Sequence, residues 1–228
     1  MRSNAERNVV MKGIVLSLGL PRKRRFRLPD LKGIIKRHGV LMVFAVLLLA
    51  GLAFGAAYAY SADRQTLRSL DFLFTTNLES RLGKGAFGTM CACFASDFVF
   101  LLSAYFLGAA PWGIPFLPAL VCFKGFGTGI TAGYLCLSHG VSGAGFYLLV
   151  LLPGTFLFCA ALMVFSVRAF SFSRQTLKRM LSRQPALYSL REALLRYSSR
   201  FLSALGVTFA ASLLDTLLWT LFAGSFNF

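Results

Sequence analysis

Three ionisable residues, Asp97, Lys124 and Asp215, stand inside long apolar stretches of this 228-residue chain. A charged side chain at membrane depth costs at least about 2.5 kcal/mol on insertion scales, so each marks a place where something must hold or use the charge. Two chemistries fit such a trio. One is a relay for protons or ions, which needs a series of titratable groups along a polar path. The other is buried ion pairing that fixes the register of neighbouring helices, with Lys124 reaching either Asp97 or Asp215. Other polar residues in these stretches are few, chiefly Ser96, Ser103, Thr128, Thr131 and Thr216, and that scarcity favours pairing. At 1.5 Å rise per residue, Asp97 and Asp215 lie roughly 13 and 12 Å from the outer ends of their spans, and Lys124 lies near the midplane.

The remaining reactive side chains offer less. Cys91, Cys93, Cys122, Cys136 and Cys159 fall in or beside apolar runs, where a thiol behaves as a small hydrophobe. Cys91-Ala92-Cys93 lacks the spacing of a redox or zinc pair. His38 and His139 have no second ligand at coordinating distance in sequence, so no metal site is expected. No Gly-x-Ser-x-Gly, His-Glu-x-x-His or phosphate-loop pattern occurs. With no base spaced to activate a Ser or Cys, neither a cofactor nor an enzymatic activity is expected.

The elements that must position the trio are membrane spans. The chain is 57 % hydrophobic and 14 % charged, with mean hydropathy +0.68, against about 25 % charged residues in a soluble domain. Spans are predicted at about 40–60, 88–109, 114–137, 146–167 and 201–223, each near the 20 residues that cross a hydrocarbon core. The fold class is therefore all-α, a polytopic membrane bundle of five transmembrane helices. Residues 1–38 form a basic cytoplasmic segment and 39–228 the membrane domain. The apolar stretch Val9 to Leu20 is interrupted by Lys12 and followed by Arg22-Lys23-Arg24-Arg25, which does not read as a cleavable leader.

Charge sets the orientation. Of 24 Lys and Arg residues, eleven lie in 1–38 and eight in 168–200, while the loop 61–87 holds four. Lys and Arg mark the cytoplasmic side, which predicts a cytoplasmic N-terminus and an external C-terminus. The same clusters suit anionic lipid headgroups rather than nucleic acid, despite a net charge of +16.

Between and within the spans, four features stand out. Gly51 and Gly55 repeat at four-residue spacing in the first span, as do Gly125, Gly129 and Gly133 in the third, the pattern that lets helix backbones touch. Leu67, Leu70, Phe74 and Leu78 recur at helical spacing in the external loop, predicting an amphipathic helix and a docking surface for a partner. Ser138 to Gly145 are expected to form a Gly/Ser-rich turn. Residues 168–200 are expected to form two short amphipathic helices broken at Pro185.

Several of these residues carry a resemblance. Gly51-Leu52-Ala53-Phe54-Gly55-Ala56, Gly113-Ile114-Pro115, Lys124-Gly125 with Gly129-x-Thr131-x-Gly133-Tyr134-Leu135, Leu151-Leu152-Pro153 and Ala211-Ser212-Leu213-Leu214-Asp215 resemble the stage II sporulation protein M family, from about residue 38 to 228. The resemblance implies a non-enzymatic membrane scaffold for two cell-wall hydrolases, stage II sporulation proteins D (a lytic transglycosylase) and P (an amidase/endopeptidase), at the septum during engulfment. The alternative is a transport-associated membrane subunit in which Asp97, Lys124 and Asp215 line a path.

Overall fold

The computed structural model describes residues 31–62, 85–182 and 190–222, with residues 31–38, 139, 182 and 190 described by their backbone alone. Leu67, Leu70, Phe74 and Leu78 lie outside the described residues, as does Pro185. Within them the chain is all-helical: α1 (Leu31–Ser61), α2 (Ala86–Ala109), α3 (Gly113–Phe146), α4 (Leu152–Ser182) and α5 (Leu190–Phe222), with a π-helical turn at Tyr147–Leu151. Among the described residues, five helices are long and apolar enough to cross a membrane. Their outer faces are what a bilayer demands: Phe54, Phe106, Phe116 and Phe156 are each more than half exposed, the inverse of a soluble surface.

Association between apolar helices in lipid gains little from hydrophobic burial and depends on close packing. The glycine stripes supply it. A Cβ on Gly51 would land on the Cys122 carbonyl oxygen, one on Gly55 on the Phe126 carbonyl, one on Gly125 on the Leu48 carbonyl and one on Gly129 on the Leu52 carbonyl. Gly133 closes the seam against Ala56 and Ala59. Each helix thus presents bare Cα–H groups to the other's carbonyls, a geometry that recurs where helices touch. The partners advance together in number, so α1 and α3 run parallel, as an intervening span requires.

The predicted turn over Ser138 to Gly145 is corrected to one residue. Gly140 adopts φ 56°, ψ −130°, a conformation that disfavours any residue with a Cβ, and helix continues on both sides. The chain reverses there: Thr128 and Thr131 before it line the same cavity as Tyr147, Leu151 and Thr155 after it. The two short helices expected over 168–200 are also corrected. α4 runs unbroken to Ser182 and α5 begins at Leu190, because nothing between Arg168 and Ser182 stops a helix that already exists, and nucleating a new one is the costly step.

At the end of the bundle away from Gly140, Tyr197 of α5 joins three helices. Its ring stacks on Phe172 of α4 at 4.6 Å and on Tyr105 of α2 at 5.1 Å, and its hydroxyl donates to the Tyr105 carbonyl at 3.0 Å. Gly108 is the seat for that hydroxyl. Ser173 of α4 donates to the Ala110 carbonyl at 2.7 Å, capping the end of α2.

Candidate functional site: a buried charge pair beside a polar cavity

Lys124 of α3 resolves the choice that the sequence leaves open. Its Nζ donates to Asp97 Oδ1 of α2 at 2.9 Å, with the two side chains only 7 % and 17 % exposed. The ammonium also lies 4.8 Å from the ring centroid of Phe100 and 4.9 Å from that of Phe158. A carboxylate and two ring faces together replace the water that the cation has left. Gly125, next in sequence, meets α1, so the residue that anchors α3 to α2 adjoins one that anchors it to α1.

Asp215 of α5 takes a different neighbour. Cys93 of α2 donates its thiol to Asp215 Oδ2 at 3.5 Å. Gly154 makes room for this carboxylate: a Cβ there would come within 2.9 Å of Asp215 Cβ and 3.0 Å of Oδ1. Any larger residue would push α5 away from α4.

All three predicted charges line one polar cavity of about 40 Å³, enough for about three water molecules. Its wall alternates charge with hydroxyl. Thr128 donates to the Gly125 carbonyl, Thr131 to the Gly127 carbonyl and Ser212 to the Phe209 carbonyl. Each spends its proton on its own helix, while Ser96, Tyr147 and Thr155 bring further hydroxyls to the same wall. With two carboxyl groups, one ammonium and several hydroxyls in its wall, the cavity suits water.

Sequence reasoning missed two contributors. Gly154 reads in the sequence as an ordinary small residue. The π-turn carries Tyr147 and Leu151 into the cavity wall, and its cause is legible afterwards. Pro153 has no N–H for the Leu149 carbonyl, so the helix widens just before it and the Leu152 N–H bonds back to Tyr147 instead. The glycines Gly51, Gly55, Gly125, Gly129 and Gly133 belong to the α1–α3 seam, on the other side of α3 from the charge pair. Among the described residues no group of three or more His, Cys, Asp and Glu side chains could hold a metal ion.

A model of the family described as Stage II sporulation protein M matches residues 31–218. No curated protein and no solved structure matches the chain.

Proposed function

The chain belongs to the stage II sporulation protein M family, and from that premise we propose that it is a non-enzymatic membrane scaffold that recruits peptidoglycan hydrolases to the septal membrane during engulfment. The partners are stage II sporulation proteins D and P, with the N-terminus in the cytoplasm and the basic segments on anionic lipid. The family match, which reaches into all five membrane spans, is the observation that carries this reading. The geometry is consistent with it: Lys124 and Asp97 are engaged with each other, and the α1–α3 seam is a backbone-to-backbone contact, as a rigid frame needs. The external loop 61–87 is the surface on which the hydrolases dock.

The polar cavity favours a second reading, a transport-associated subunit in which Asp97, Lys124 and Asp215 line a path. One experiment separates the two. The tagged protein is captured in mild detergent from cells early in sporulation and its partners are identified by mass spectrometry. Recovery of two exported peptidoglycan hydrolases is the expected result. Recovery of a cytoplasmic ATPase with no wall enzyme overturns the scaffold.

A further inference from the structure

A groove of about 450 Å³ lies between α4 and α5, walled by Leu157, Ala161, Val164, Ala204 and Val207, with Arg168 and Arg200 at one end. Its apolar length, from Arg168 to Leu157, is about 16 Å at 1.5 Å per residue, close to half of a hydrocarbon core of roughly 30 Å. The arginines stand toward the end where α4 and α5 meet the segment 183–189, the side that the charge bias makes cytoplasmic. Neither guanidinium has a hydrogen bond or ion pair among the described residues, and the one acidic residue near them in sequence, Glu192, precedes Arg200 by eight residues.

We propose that this groove is a binding site for one anionic glycerophospholipid of the cytoplasmic leaflet, its phosphate between Arg168 and Arg200 and an acyl chain along the wall toward Leu157. Charge complementarity selects the occupant. Arginines at the inner ends of spans extend toward the interface as a class, but here two from different helices share the mouth of a single apolar groove of one-leaflet length. A guanidinium fork matches a phosphodiester, and a zwitterionic headgroup would bring its own cation to the same mouth. The inference does not depend on the scaffold reading, because it concerns only the faces of α4 and α5.

The test is native mass spectrometry of the full-length protein after delipidation and incubation with phosphatidylglycerol or phosphatidylcholine. Wild type retains phosphatidylglycerol, about tenfold over phosphatidylcholine. Arg168→Gln with Arg200→Gln abolishes that preference, whereas Arg174→Gln with Arg179→Gln, two exposed basic residues outside the groove, keeps it. Ala161→Phe, which fills the groove and leaves both arginines in place, also loses the lipid, and all variants elute from size exclusion as wild type does. Equal retention of the two lipids, or full retention by the Arg168/Arg200 variant, overturns the proposal. So does displacement of bound lipid by excess glycerol 3-phosphate, which would mark an anion site with no part for the acyl chain.

Discussion

Replacing Lys124 by methionine leaves Asp97 with a buried charge and no cation, and removing one member of such a pair typically costs about 3–5 kcal/mol. Lys124→Met should therefore unfold at lower temperature in detergent by an amount that the double change Lys124→Met with Asp97→Leu largely restores. A double-mutant cycle read by thermal melting checks this, and additive losses would mean that the 2.9 Å contact carries no coupling. Asp215→Asn is the contrasting case. Asparagine keeps an oxygen for the Cys93 thiol and occupies the same volume beside Gly154, so the fold should survive. On the scaffold reading Asp215→Asn still captures its partners at wild-type yield. Loss of function with normal assembly would instead point to a carboxylate working in the cavity.

For the helices, the glycine seam makes two opposite predictions. Gly129→Ala puts a methyl group onto the Leu52 carbonyl, and neither backbone can move without opening the α1–α3 contact. Overpacking of this kind costs about 1–3 kcal/mol, so the variant should melt earlier and lose protection of α1 from protease. Gly39→Ala and Gly206→Ala meet nothing within 4 Å, and each should leave the melting temperature unchanged or raise it, by up to about 1 kcal/mol. The same seam marks how far the sequence reaches. Periodicity and small-residue spacing predict both stripes, because a repeat of four is a property of one helix. That Gly51 faces Cys122 and Gly125 faces Leu48 is a property of two helices, and no local pattern encodes it. The break at Gly140 escaped a reading by composition, since Ser138 to Gly145 hold several turn-forming residues and only the backbone tells which one turns. Lys124's choice of Asp97 over Asp215 was invisible for a similar reason: depth along a span is legible in a sequence, but the angle around the helix axis between partners is not.

At the level of the whole molecule, helix length and charge together fix what projects from the bilayer. α4 and α5 have 31 and 33 residues, about 46 and 50 Å at 1.5 Å per residue, against a core of roughly 30 Å. The turn at Gly140 and the cluster of Leu135, Phe146 and Trp219 belong to one end, so the excess length emerges at the other. It leaves as a pair of helices that Tyr197 and Phe172 hold together at their base. Arg174, Lys178, Arg179, Arg191 and Arg196 ride on that projection, and the charge bias predicts that it faces the cytoplasm. Limited trypsin digestion of vesicles should therefore be strictly sided. Inside-out vesicles should yield cleavage within 174–200 and split the chain between α4 and α5. Right-side-out vesicles should protect those sites and allow cleavage only at Arg64, Arg68, Arg81 or Lys84 in the opposite loop. The reverse pattern would invert the topology and put the loop 61–87 in the cytoplasm, out of reach of any enzyme that works on the wall.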